Sequence, residues 1–155
     1  MKSYLIGIIS DTHGLLRPEA ENLLVGSDLI FHAGDIGNVE IIRKLKTIAP
    51  VEAIRGNIDK EKWADEFPET LEVEIGNKKI FMIHNKKDLD FYPEEEKFDV
   101  IISGHSHKPL IKKASGILYL NPGSAGKRRF SLPISIAKLQ IVGDKLSAEI
   151  IELKV

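Results

Sequence analysis

Apolar residues gather in short runs along this chain, at 4–9, 28–33, 50–55, 71–75, 79–84, 98–103, 116–120, 134–142 and 146–153. Each run has the length of a strand. Two further stretches read as helices: Pro18 to Val25, and Val39 to Ile48, where Ile41, Ile42, Leu45 and Ile48 share one face. They separate the first three strands, which predicts a βαβαβ start. Later, Gly76-Asn77 and Gly143-Asp144 stand between apolar runs as two-residue hairpin turns. Helical crossovers followed by hairpins predict an α/β fold, with mixed sheets packed on each other and helices outside. No linker, repeat or low-complexity tract interrupts the pattern, so residues 1–155 are expected to form a single domain.

Composition narrows the chemistry. With 155 residues and 43% hydrophobic content, the chain can bury a sizeable core. No apolar run reaches the ~20 residues of a membrane span, and Lys2 leads directly into a strand-like stretch rather than a signal peptide, so a soluble, cytoplasmic protein without a membrane partner is expected. A formal charge of −1 and a pI near 6.5 argue against general nucleic-acid binding. The basic clusters Lys86-Lys87, Lys112-Lys113 and Lys127-Arg128-Arg129 read first as solvated faces. The absence of cysteine excludes disulfides, thiolate nucleophiles and sulfur-based zinc sites, leaving His, Asp, Glu and Asn as the ligands available to any metal.

Those residue types recur where apolar runs end. Asp11 and His13 follow the first, Asp35 the second, Asn57 and Asp59 the third, His84 ends the fifth, and His105 and His107 follow the sixth. Ligands of open α/β sheets bind beyond the C-terminal ends of strands. In extended backbone, residues two apart point to one side, so Asp11 with His13, and His105 with His107, are each expected to present a pair of side chains to one site. Gly14, Gly34, Gly56 and Gly104 beside them permit sharp turns and close approach. Four of the five histidines, two aspartates and one asparagine at equivalent places on five strands point to a metal site. His32 is out of phase with Asp35 and is expected to point away from the cluster, either supporting the ligands from behind or facing the core.

The ordered segments SDTHG, AGD, GNID, IH and GHSH, followed by NPGSA at 121–125, resemble the calcineurin-like metallophosphoesterases, and in particular the small single-domain phosphodiesterases of bacteria and archaea. The resemblance implies a four-layer αββα sandwich of two mixed sheets flanked by helices. It also implies two divalent transition-metal ions, manganese first, with nickel, iron, zinc or cobalt as alternatives. Carried onto this chain, Asp11, His13 and His107 would hold one ion, Asn57, His84 and His105 the other, and Asp35 would bridge them. The chemistry agrees, because a carboxylate can hold two cations ~3.5–4 Å apart and a water between them ionises near neutral pH. The implied reaction is phosphodiester hydrolysis by a metal-activated hydroxide that attacks phosphorus, with a small-molecule phosphoester as substrate. Two carboxylates against two divalent ions leave a net positive field for that anion.

Three features refine this expectation. Many family members carry His after the Gly-Asn pair, where it is thought to assist the leaving group; this chain has Ile58, as small members commonly do. The loop NPGSAGKRRF offers Ser124 and, from its basic cluster, Arg128 as expected substrate contacts. Finally, one subunit of the retromer sorting complex has this fold but serves as a protein-binding scaffold with its metal ligands partly replaced, so the alternative reading is a scaffold with little or no catalysis. Here all seven ligand positions are intact.

Overall fold

The computed structural model describes residues 2–155. Alternating burial and helical crossovers produce two five-stranded mixed sheets. The first has the order β10-β9-β1-β2-β3, from β1 (Ser3–Ile9), β2 (Leu29–His32), β3 (Val51–Ala53), β9 (Ser135–Val142) and β10 (Lys145–Glu152). The second has the order β4-β5-β6-β8-β7, from β4 (Thr70–Ile75), β5 (Lys78–Ile83), β6 (Val100–Ile102), β7 (Leu110–Ala114) and β8 (Ile117–Asn121). In the first sheet β1, β2 and β3 run parallel; in the second β5, β6 and β8 do. The hairpins fall at the two expected turns, where Ile75 pairs with Lys78 and Val142 with Lys145. The tips meet through a hydrogen bond from Asn77 to Asp144.

Period-two alternation on β1 explains the layering. Ile6 and Ile8 point into the space between the sheets, against Ile80, Met82, Val100, Ile102 and Leu120, while Ile9 faces the helices. Helix α1 (Pro18–Leu24) begins with proline at its first turn, where a missing N–H costs nothing, and buries Ala20 and Leu24. Helix α2 (Val39–Lys46) buries Ile41, Ile42 and Leu45. Both cover the outer face of the first sheet. The outer face of the second is covered by the segment 86–98, whose only helical part is the 3₁₀ turn Lys86–Asp88; its Leu89, Phe91 and Phe98 pack on Phe81, Ile101 and Tyr119. No helix among the described residues is long and apolar enough to cross a membrane.

Strand β7 is one more than the apolar runs indicate. Its sequence, LIKKA, is exposed at the three central positions because β7 is an edge strand, and edge strands keep lysines where buried strands keep apolar side chains.

Candidate metal centre

The loops after β1, β2, β3, β5 and β6 converge at one end of the sandwich. β1 ends at Ile9 and β6 at Ile102, so Asp11, His13, His105 and His107 lie beyond the strands, with φ of 55°, 47°, 71° and 63°. The expectation that each pair shares a side through extended backbone is therefore corrected: left-handed turns aim these side chains. Asp35 has φ 56°. Such a conformation costs a non-glycine residue about 1–3 kcal/mol and persists only where the surroundings enforce it. Hydrogen bonds between the first two loops do so. The N–H groups of Asp11, His13 and Gly14 donate to the carbonyls of Gly34, Asp35 and Ile36 at 3.0, 2.9 and 2.8 Å.

Six of the seven candidate ligands form two triads, Asp11 with His13 and His107, and Asp35 with His84 and His105; within each, one ligand atom per residue lies within 4.8 Å of the others. The Asp35 Oδ2 oxygen sits between the triads, 3.4 Å from His13 Nε2 and 3.2 Å from His84 Nε2. Its other oxygen, Oδ1, accepts from the Ile58 N–H at 3.1 Å, which fixes the plane of the carboxylate. Asp11 Oδ1 lies 3.4 Å from His107 Nε2 and 3.8 Å from both His13 Nε2 and His84 Nε2. Its Oδ2 accepts from Ser10 Oγ at 2.7 Å and from the His105 N–H at 3.1 Å. Asn57 joins the second triad through Oδ1, 3.1 Å from His105 Nδ1. His84 Nδ1 donates to the Ala33 carbonyl at 2.7 Å, leaving Nε2 bare toward the centre.

The donor set fits cations. Asp11 Oδ1, His13 Nε2 and His84 Nε2 are buried atoms without hydrogen-bond partners, and all three point into the space between the triads. Buried polar atoms are ordinarily satisfied, and leaving one unpaired costs about 1–3 kcal/mol. The charge balance has the same sense. Burial works to raise the Asp11 carboxyl, but the rings of His107 and His13 hold it below the usual carboxylate range; Asp35 is held low against burial by His13 and His84. In return Asp11 and Asp35 lift the His13 ring to about 9. Burial works to lower His84, yet Asp35 and Asp11 raise it. The carboxylates thus favour positive charge beside them, and the rings favour ionised carboxylates.

Other polar residues hold the loops. Asp59, at a strand end like the candidate ligands, turns away from the centre: its Oδ2 accepts from the N–H groups of Ile36 and Gly56, both at 2.9 Å, and its Oδ1 from Gly37 at 3.0 Å. It ties the Asp35 loop to the Asn57 loop. A Cβ on Gly56 would stand 2.2 Å from Asp35 Oδ1, so only glycine lets these loops close. Ser124 does not face the cluster. It is 1% exposed and its hydroxyl lies 3.1 Å from the Asp11 carbonyl and 3.2 Å from that of Lys127, behind the site. Arg128 is exposed and donates to the Leu132 carbonyl at 3.3 Å. Asn121 has a role that the NPGSA segment hinted at without locating: its amide donates to the Gly104 carbonyl at 2.9 Å and Ser106 Oγ at 3.1 Å, bracing the loop that carries His105 and His107.

His32 is fully buried, as its phase implies, and both ring nitrogens are satisfied. Nδ1 accepts from the Gly34 N–H at 3.1 Å, so Nε2 donates to Thr12 Oγ1 at 3.0 Å, and the Thr12 hydroxyl donates to the Ile36 carbonyl at 2.7 Å. Burial pushes this ring down to about 4, from 6.5. Between these values the unfolded chain binds the proton and the folded one does not, so stability falls as pH drops through that window, by about 3 kcal/mol in total. Urea unfolding of the metal-free protein from pH 7 to 4 is expected to show this loss, and His32→Gln to flatten it.

Known proteins share this arrangement of chain. The family model for the calcineurin-like phosphoesterase superfamily domain matches residues 4–144. A probable metallophosphoesterase of Methanothermobacter thermautotrophicus is 39% identical over 159 aligned residues, spanning 95% of this chain and 91% of its own. A phosphodiesterase of Methanocaldococcus jannaschii is 28% identical over 76% of this chain and 82% of its own. Among solved structures, vacuolar protein sorting 29 from Cryptosporidium parvum covers 98% of this chain and 92% of its own at a TM-score of 0.84; its 24% identity makes this a likeness of fold. By the extent of the domain match and of the archaeal relative, the chain belongs to the calcineurin-like phosphoesterase superfamily.

Proposed function

We propose that this protein is a phosphodiesterase that works with two divalent transition-metal ions, manganese first among them. The observation that carries the reading is the position of Asp35 Oδ2, one oxygen within 3.4 Å of a ring from each triad. Asp11, His13 and His107 would hold one ion, Asn57, His84 and His105 the other, and Asp35 would contribute to both. When bound, the ions supply Lewis acidity, lowering the pKa of water and stabilising charge on the phosphoryl oxygens. The chain's own residues prepare that step. Ala33 fixes the His84 tautomer, Ile58 fixes the Asp35 plane, and Ser10 with the His105 N–H fixes Asp11. The phosphodiesterase from Methanocaldococcus jannaschii supports the reaction class. Exhaustive chelation is expected to abolish hydrolysis of bis(p-nitrophenyl) phosphate, and manganese or nickel to restore it; activity that persists at near-zero metal content would overturn the reading.

Metal uptake should also depend on pH. A ring ligand binds as the neutral imidazole, and the neighbouring carboxylates keep His13 protonated up to about 9. Apparent affinity for manganese is therefore expected to rise between pH 7 and 9, with protons released on binding. Calorimetry in buffers of different ionisation enthalpy measures that release, and His13→Ala should reduce it.

A further inference from the structure

Beside the second triad a cleft of about 600 Å³ opens from Asn57, His84 and His105. Its volume lies within the range of small-molecule sites, about 300–1,000 Å³. One wall is apolar: Phe81 and Ile83 come from the outer face of β5, and Leu89 and Phe91 from the segment that covers it. The Phe81 and Phe91 rings meet edge to face, with centroids 5.0 Å apart, a surface suited to a further flat ring.

The charges on the cleft are one-sided. Arg55 is the one lysine or arginine that lines it, and that guanidinium already donates to the Phe67 carbonyl and, at 3.3 Å, to Glu69. The Lys86 ammonium lies over the Tyr119 ring, 5.9 Å from its centroid, outside the lining. Asp88 and Asp90 also line the cleft, and among the described residues neither carboxylate is held by a salt bridge. No uncommitted lysine or arginine lines the cleft to meet a second anion, while two carboxylates stand ready for N–H donors.

We infer that this cleft seats one ester arm of the substrate and selects a planar, uncharged or cationic arm carrying N–H donors, the chemistry of an amino-bearing heterocycle, over an anionic arm. The inference rests on the phosphodiesterase reading, since a monoester has no second arm to seat. An anionic arm meets Asp88 and Asp90 unscreened by any partner, and like charges brought together across a binding surface weaken association by ~10-fold or more.

The test uses four p-nitrophenyl phosphodiesters whose second arm is methyl, phenyl, 4-aminophenyl or 4-carboxyphenyl, with the manganese-loaded full chain. The aminophenyl ester is expected to exceed the carboxyphenyl ester at least ~10-fold in kcat/KM, chiefly through KM. D88N/D90N should erase that preference, and F91A should weaken the aromatic esters more than the methyl ester. Equal handling of the two charged arms by the native protein overturns the inference. A second readout needs no turnover: NMR titration of the metal-free chain with adenosine and with benzoate. Adenosine should shift the Phe81 and Phe91 ring signals saturably, and benzoate should do so only in D88N/D90N. Absence of an adenosine response, or an equal benzoate response in the native chain, overturns the inference. Failure to hydrolyse even the methyl ester would instead strike the phosphodiesterase reading, leaving the titration to decide the cleft.

Discussion

Asp35→Asn is expected to lower kcat/KM for an aryl phosphodiester at least ~100-fold, the scale on which a disturbed catalytic constellation fails. The reason is geometric. Oδ1 accepts from the Ile58 N–H while Oδ2 faces His13 and His84, so both oxygens are used. An asparagine must turn its NH₂ either to the Ile58 N–H, donor against donor, or to the centre, where it cannot ligate a cation. Neither rotamer serves both places. The variant should also bind less metal per chain. His32→Ala provides the comparison: it lies beneath the same loops and its ring hydrogen-bonds only to Gly34 and Thr12, so it should cost stability more than rate. Kinetics of the two variants, with folding checked by near-UV circular dichroism, separate these outcomes; equal losses of rate would mean that Asp35 is not the bridge.

The second large effect concerns the leaving group. Ile58 follows Asn57 and is 43% exposed at the rim of the site, with its backbone N–H on Asp35 and a side chain that cannot donate a proton. The leaving oxygen must then depart with most of its charge developed. General acid catalysis contributes about 10²–10⁴-fold, and its absence weighs most on poor leaving groups such as alkoxides. Rates should therefore rise steeply as the leaving-group pKa falls. Ile58→His keeps the backbone hydrogen bond to Asp35 and should flatten the dependence by accelerating the alkyl esters selectively. A series of substituted phenyl and alkyl phosphodiesters measured with both proteins checks this. A shallow slope in the native protein would mean that another group already supplies the proton. Asp59 is poorly placed for that role, because its carboxylate is occupied by three backbone N–H groups.

Short apolar runs place most strands and helical spacing places both helices, because these elements bury one face against a core and the burial writes itself into the spacing. β7 escaped because an edge strand buries almost nothing, and its lysines read as a solvated surface. The candidate ligands were legible as residue types at strand ends, but the means of aiming them was not. Left-handed φ at Asp11, His13, Asp35, His105 and His107 depends on hydrogen bonds between loops distant in sequence. The same limit separates Asp59 from Asn57, two residues apart: one clamps backbone and the other stands beside His105, a difference set by which loop packs against each. Ser124 shows the converse. A serine after a Pro-Gly turn looks ready for a phosphate, yet the fold closes over it and turns its hydroxyl to the Asp11 carbonyl.

The central claim is that phosphodiester hydrolysis requires both triads to be filled. Its most direct test is the rate of bis(p-nitrophenyl) phosphate hydrolysis, measured as manganese is titrated into the fully chelated chain, with bound metal counted in the same samples. Hydrolysis is expected to be absent without metal and to reach its plateau at two ions per chain. Turnover that persists without metal, or two ions bound with no turnover at all, would contradict the account, the latter favouring a scaffold of the same fold.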